Sequence, residues 1–494
     1  MNRREFIQSL AVLGITASHL PTALLASNNK TWKQKYETAL KFDPRLIGHQ
    51  NYTQERQAKS LFIEGGFPKD FSGTFYRNGP ALLERADVRQ KHLFDGDGMI
   101  HAFKFENGNV SFKNKFVQTY KYQKEQKAGR FLYDLSDLGL KTPESVTSAD
   151  TINNANTNIL PVGDEIWALW EAGSAYGMHP ETLETKGAIT LNTQLKGAPF
   201  SAHPKIDADG TIWNFGLDYS SGQIIVYKLN PKGVMQKFGI VKTDYHAMLH
   251  DFLITDKHIL LVLPSLRVNP KGKGFAAQQQ FDENRSLRVL VVDKNDFSLK
   301  ATHEFPACFL FHFGNAWEEK DGTIRFDGCR YPNLEVLNRM ENIMQGDTFL
   351  MKDTISQTVI FTIYPDGKTK QEAFAGSTEF PRIYPALTGK RNEKIFTIGD
   401  TKNAQWADSI RSMSIDTGKI DQYVYGEDYL VEEHVLIEKP KQKGGYLIGT
   451  ALNWKKQQSC VSLFDAENIK AGPLARAWLE FHIPLGFHGN FKMS

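Results

Sequence analysis

Cysteine is nearly missing from this chain. Its 494 residues include three, Cys308, Cys329 and Cys460, too few for a Cys-x-x-Cys metal site or a disulfide framework. An excess of one charge is missing as well. Lys and Arg number 59 and Asp and Glu 56, leaving +3. That balance excludes nucleic-acid binding through overall charge and leaves only a local basic patch for such a role. Glycine (39) and proline (20) are at ordinary levels, which rules out collagen-like and low-complexity chains. No internal repeat stands out, and helical periodicity is scarce apart from a segment near Lys30–Ala39. What the chain has instead is apolar bulk: 41% hydrophobic and 12% aromatic residues, with 33 Phe, 17 Tyr and 8 Trp. That excludes disorder and offers a large rigid surface to a core or to an apolar ligand.

The first residues differ from the rest. Arg3-Arg4-Glu5-Phe6-Ile7-Gln8 precedes a mildly apolar run, Leu10 to Ser18, that holds no acid and is followed by Pro21 and small residues up to Ala26. The run is too short and interrupted to span a membrane. It resembles a twin-arginine export signal, with Ile and Gln in place of the usual Leu and Lys. The resemblance implies removal of residues 1–26 and a bacterial protein exported, already folded and loaded with its cofactor, to the periplasm. An oxidising destination would permit a Cys308–Cys329 disulfide, which the sequence leaves open.

The remainder, 27–494, reads as one all-β domain, although about 150 residues per domain would suggest roughly three. Turn dipeptides recur at Asp97-Gly98, Asn107-Gly108, Asp209-Gly210, Asp321-Gly322 and Asp366-Gly367, pairs that favour hairpins. Between them lie β-rich runs such as Thr211–Phe215, His258–Leu263, Leu287–Val292, Thr358–Tyr364 and Tyr446–Thr450. No linker divides them. So many strands in one domain must hide their edges, and closure into a barrel or propeller does so. At about 40–50 residues per blade, six to eight blades fit.

Four of the fourteen histidines sit in distinctive contexts: His203 in Ser201-Ala-His-Pro204, His250 before Asp251-Phe252, His312 in Phe311-His-Phe-Gly-Asn315, and His488 in Leu485-Gly-Phe-His-Gly489. Their separations of 47, 62 and 176 residues exclude a local finger or a helical His pair. They suit one ligand from each of several blades converging on an axis, and imidazole suits iron, copper or zinc. Spacing alone does not choose these four over His101, His246, His258 or His434.

The contexts together resemble the carotenoid cleavage oxygenases. The matching stretches run in order from Gly73-Thr-Phe-Tyr-Arg-Asn-Gly-Pro80 through Phe94-Asp-Gly-Asp-Gly98, Asn156-Thr-Asn158 and Ala168-Leu-Trp-Glu171 to the four histidine contexts. The resemblance implies a seven-bladed β-propeller with a metal on its axis and a loop and helix cap over one face. It implies one non-haem Fe(2+) per chain on His203, His250, His312 and His488, with O2 as co-substrate. Glutamates that orient the ligand rings match Glu171, Glu379 and Glu433, the last with Glu432 adjacent. Thr157 matches a residue beside an open metal position.

The implied reaction is dioxygenase cleavage of a conjugated C=C bond in a carotenoid or apocarotenoid, giving two carbonyl products. Such a substrate needs an aromatic-lined tunnel, for which Trp170, Phe311, Phe313 and Phe487 are candidates. An apolar polyene also implies transient contact with a membrane surface, for which Leu260–Phe275 is the candidate patch; no nucleic acid is implied. Lys124–Gly129 with Asn154–Asn158 looks nearest to bacterial apocarotenoid oxygenases. The alternatives are a lignostilbene-type dioxygenase, with Lys141 a candidate contact for a phenol, and a non-cleaving isomerase or lipophile-binding relative.

Overall fold

The computed structural model describes residues 31–347, 355–402, 406–439 and 444–494; the twin-arginine segment lies outside them. Seven sheets of four or five antiparallel strands make the seven blades of a propeller, with two further two-stranded ribbons in the loops. The β-rich runs of the sequence become strands close to their expected bounds: Ile212–Asp218, His258–Leu263, Leu287–Asp293, Gln357–Ile363 and Gly445–Asn453. Alternate residues of these strands interdigitate between neighbouring blades, so the core is a ring of inter-blade clusters. Phe326 and Phe361, for example, stack 4.7 Å apart among residues of blades 3 and 4.

One inner strand per blade faces the axis. In chain order these are Asn158–Val162, Lys205–Ile206, Leu253–Ile254, Phe309–Glu318, Ser377–Arg382, Tyr429–Glu438 and, for blade 7, the C-terminal strand Gly489–Met493. Two separate pairings close the ring. Phe62–Gly65 adds to the outer edge of blade 6 against Ala475–Trp478, and Gly489–Met493 pairs with Gly73–Arg77 of blade 7. The second closure carries His488, six residues from the chain end, to the axis. It brings two backbones into contact: a Cβ on Gly79 would lie 2.4 Å from Gly486 Cα, so neither of the motifs Arg-Asn-Gly-Pro and Leu-Gly-Phe-His tolerates a side chain there.

Polar residues of the motifs stitch adjacent blades at the axis. Asn78 donates to Ala155 O and Asn158 O, and Asn158 donates to Ala202 O beside His203. Asp251, next to His250, accepts from Lys205 Nζ and from Phe313 N. Buried polar groups cost stability unless paired, and these pairs fix the blades relative to one another.

Four of the five turn dipeptides occupy turns. Asp97-Gly98 does not: it begins the strand Asp97–Glu106. Its carboxylate is bound by Arg85 at 2.9 Å and Lys121 at 2.8 Å, and a Cβ on Gly98 would lie 2.3 Å from Ala155 O. Burial and close approach, not turn geometry, select this pair.

The described α-helices are α1 (Trp32–Phe42), α2 (Tyr120–Ala128) and α3 (Glu335–Gln345). The helix expected near Lys30–Ala39 is α1, started by a Thr31/Gln34 capping box. Tyr36 and Ala39 of α1 cluster with Ile343 of α3. Among the described residues no helix is long and apolar enough to cross a membrane. All three cysteines are buried and free, so Cys308 and Cys329 are not paired.

Candidate metal centre

Each blade contributes one polar group to the axis from its inner strand or the residues just before it. Thr157 precedes blade 1, His203 blade 2 and His250 blade 3; His312 lies in the inner strand of blade 4, Glu379 in that of blade 5 and Glu433 in that of blade 6; His488 immediately precedes the C-terminal strand. The register shifts at three of these positions, within Leu310–Phe313, Glu379–Arg382 and Val431–His434. A bulge re-aims a side chain that regular alternation would point elsewhere.

His203, His250, His312 and His488 place one ring nitrogen each within 4.8 Å of one another, and all four are buried. His250 Nε2 lies 3.0 Å from His203 Nε2 and 3.1 Å from His312 Nε2. Three of the rings turn Nδ1 outward to a carboxylate. Glu171 Oε1 is 2.8 Å from His250 Nδ1, Glu379 Oε2 2.6 Å from His312 Nδ1, and Glu433 Oε1 3.0 Å from His488 Nδ1. At His312 and His488 the contact is a hydrogen bond, which holds the proton on Nδ1 and leaves the Nε2 lone pair facing inward; at His250 it is an ion-pair contact in which Glu171 Oε1 makes no hydrogen bond. Lone pairs converging at about 3 Å repel unless a cation lies between them, so the donor set fits a metal ion and suits one that accepts imidazole.

The surroundings reinforce this. Burial, and then the other histidines, pull the His203 pKa far down. Burial takes His488 to about 3 against the pull of Glu433. His250 shifts upward: burial opposes its charge but the Glu171 carboxylate outweighs it. Glu433, although buried, is held well below the carboxylate range by Arg382, His488 and Arg77. Arg382 Nε donates to it at 2.9 Å, and so does Gly489 N. The adjacent Glu432 points away to Arg77, which separates the two neighbours that the sequence left unresolved. The other histidines are engaged elsewhere. His258 pairs with Glu318, His434 bonds Tyr425, His101 packs on Phe112, and His246 bonds Tyr219 O.

His250, His312 and His488 open onto a cavity of about 570 Å³. Trp170, Phe311 and Phe487 line it, with Thr157 on the wall; Thr157 O also accepts from His488 N. Phe313 does not line it. It packs with Leu310 and Phe326 in the core between blades 3 and 4, because the register shifts on either side of it break the alternation that would put Phe311 and Phe313 on one face.

Sequence reasoning missed Phe94, Tyr219, Tyr331 and Phe380. Phe380 stacks on His312 with ring centres 4.9 Å apart and meets His488 edge-on at 5.1 Å. It holds φ +53°, a strained value for a bulky residue, of the kind found at functional sites. It directly follows Glu379, in Thr378-Glu-Phe-Pro381. Tyr331 donates to Glu379 Oε1 at 2.8 Å.

Leu260–Leu263 is buried strand in blade 3, not a surface patch. Only the following hairpin, Leu266–Val268 paired with Gln279–Phe281, reaches the cavity, where Val268 and Phe275 line the wall. Lys141 is exposed and off the wall, and among the described residues that form the wall there is no Lys or Arg.

A family model described as "Retinal pigment epithelial membrane protein" matches residues 49–493. The chain is 30% identical to an apocarotenoid-15,15'-oxygenase of Synechocystis, over 91% of this chain and 96% of the relative. It is 26% identical to a lignostilbene-alpha,beta-dioxygenase isozyme of Sphingomonas paucimobilis, over 87% and 93%. A solved structure of the cobalt-substituted Synechocystis oxygenase superposes with TM-score 0.82 at 27% identity, covering 92% of this chain and 99% of that one.

Proposed function

The chain belongs to the retinal pigment epithelial membrane protein family, and on that premise we propose that it is a non-haem iron dioxygenase cleaving one conjugated C=C bond of an apocarotenoid-type polyene to two carbonyl products. The observation that carries this reading is the placement of four buried imidazoles at an aromatic cavity without a lysine or arginine among its described wall residues. A polyene asks for apolar contact along its length and no ion pair. A phenolic stilbene would gain from a lysine at its hydroxyl, and Lys141 is not placed to serve.

His203, His250, His312 and His488 would hold the ion. Bound iron supplies the electron density that lets O2 react with an alkene. The rest falls to the chain. Glu379 and Glu433 keep the ring protons of His312 and His488 on Nδ1 and fix those ring angles, and the Glu171 carboxylate faces His250 Nδ1. Phe380 covers the His312 and His488 rings and shields them from water. Phe94 meets Phe311 and Phe487 edge-on at 6.4 and 5.6 Å, a rigid wall that holds an extended chain in one orientation. The apolar hairpin side chains Val268 and Phe275 would dip into a lipid surface to collect the substrate.

Iron-loaded protein given an apocarotenal and, separately, resveratrol under O2 should release a shorter aldehyde from the first only. Aldehyde from resveratrol alone would reverse the substrate reading, and none from either would favour binding or isomerisation.

Residues 1–26 are read as a twin-arginine signal delivering the folded protein to the periplasm. Replacing Arg3 and Arg4 by lysine should leave the protein in the cytoplasmic fraction; unchanged periplasmic accumulation would sink the export reading.

A further inference from the structure

Two loops meet on the wall of the main cavity. One is the stretch 130–148, which follows the left-handed Gly129 at the end of α2 and holds no helix or strand. A loop this long in a packed domain is uncommon unless it has a task of its own. Its Asp134 and Leu135 line the cavity. The other is the tip of the hairpin Leu266–Val268 and Gln279–Phe281, which sets Gly274, Phe275 and Gln278 on the same wall. The long loop is fastened at its base. Leu132 N donates to Glu125 Oε1 at 2.9 Å, and Glu144 N donates to Leu132 O at 2.7 Å. Lys124 of α2 holds the Glu144 carboxylate at 2.6 Å. Phe131, Leu132 and Tyr133 are buried, whereas residues 141–148 are all exposed. Joined ends and a projecting tip are the build of an Ω-loop. Within the tip Asp134 Oδ1 accepts from Leu138 N, which keeps 134–138 together as one piece.

The seam between the two loops is close but weakly held. A Cβ on Gly274, which holds φ +86°, would lie 2.6 Å from Leu135 O and 3.3 Å from Ser136 Cβ, so the backbones touch. Across that contact Lys273 Nζ donates to Asp137 Oδ1 at 3.1 Å, and Lys91 donates to Asp137 O. The Lys273 and Asp137 side chains are 74% and 44% exposed. Ion pairs so exposed are screened by salt and hold little. A void of about 30 Å³, lined in part by Lys91, Ser136, Lys273 and Gly274, lies along the seam, so the loops are not packed against each other as a core is. Elements with few buried contacts and exposed polar ones are those that open locally.

We propose that the stretch 130–148 is a lid over the cavity, turning on its base at Leu132 and Glu144 and latched by Asp137 against Lys273 and Lys91. Opening separates Leu135 from Gly274 and admits an apolar molecule between them; reclosing shuts water out. That the entering molecule is a polyene rests on the function proposed above. The lid itself does not.

The probe is Nile red, an uncharged apolar dye that brightens out of water, mixed with the metal-loaded full chain in a stopped-flow cell. Asp137→Cys combined with Lys273→Cys removes the latch and sets two thiols across the seam. All three native cysteines are buried, so a short reducible bis-methanethiosulfonate joins the new pair. Before bridging, the dye should enter about threefold to fivefold faster than in the parent, the gain that loss of an exposed pair permits. Bridging should slow entry and release alike, by at least about tenfold, and leave the Kd unchanged. Reduction should restore the fast rate. Metal content equal to the parent's verifies that the variant folds.

Salt gives a second measure. Molar sodium chloride should quicken entry into the parent and not into the unbridged variant, whose latch is already gone. Dye that never enters the parent, or that enters bridged and unbridged protein equally fast, overturns the proposal. A Kd that moves on bridging overturns it too, because a distorted cavity and not a closed lid would then set the rate. No polyene takes part in this test. If bridging blocks the dye while the parent leaves an apocarotenal uncleaved, the lid stands and the polyene reading falls.

Discussion

His250→Ala should fold, emerge from purification without iron and yield no cleavage product. His250 is the middle ring of the cluster, with Nε2 3.0 Å from one partner nitrogen and 3.1 Å from another. Four neutral imidazoles contribute no charge to hold a divalent ion, so retention depends on their number and geometry. Removing the middle one leaves a gap between the remaining three and deprives Glu171 of its partner. That carboxylate can then turn toward the centre as a poor substitute or take up a proton. The measurement is iron per chain by atomic absorption after desalting, read beside product formation. Full occupancy in the variant would remove His250 from the ligand set and with it the argument from converging lone pairs.

The parts of this site that could be read from sequence are those fixed by local motifs. Each histidine lies at or just before an inner strand, where a short polar neighbour such as Asp251 or Asn315 ties that strand to the next blade. The motif therefore records both the axial histidine and its anchorage. The blade number was not readable from the residues alone, because the repeats share burial patterns rather than identities, and it came from the resemblance. Side-chain direction was the weakest point. Phe311 and Phe313 are two apart and should share a face, yet one lines the cavity and the other is core, because register shifts flank Phe313. A bulge has no sequence signal of its own. Helix α3 was missed for another reason: it interrupts blade 4 between the strands Ile324–Tyr331 and Gln357–Ile363, and it joins the site through Met340 on the cavity wall and through Val336 and Leu337 in the cluster that holds Phe309 and Phe311.

Glu432→Ala should destabilise the propeller by about 3–5 kcal/mol, the usual cost of removing one partner from a buried ion pair. Glu432 accepts four hydrogen bonds: from Arg77 Nε at 2.9 Å, and from Arg77 Nη2, Gly486 N and Thr450 Oγ1, each at 2.6 Å. Arg77 is 1% exposed, so water cannot replace the lost carboxylate. The pair spans blades 6 and 7, the seam that the C-terminal strand closes and the one that seats His488. The bulge at Val431–His434 gives consecutive glutamates two tasks there: Glu433 orients a ligand ring, while Glu432 holds the seam. The loss should appear as a lower denaturation midpoint in metal-free protein, where metal binding cannot mask it. Combining Glu432→Leu with Arg77→Met should recover much of it, since exchanging a whole buried pair for apolar groups is often neutral. If the single variant denatures with the parent, the seam is held by apolar packing alone. If the double variant fares no better than the single one, the bonds to Gly486 N and Thr450 Oγ1 matter more than the charge on Arg77.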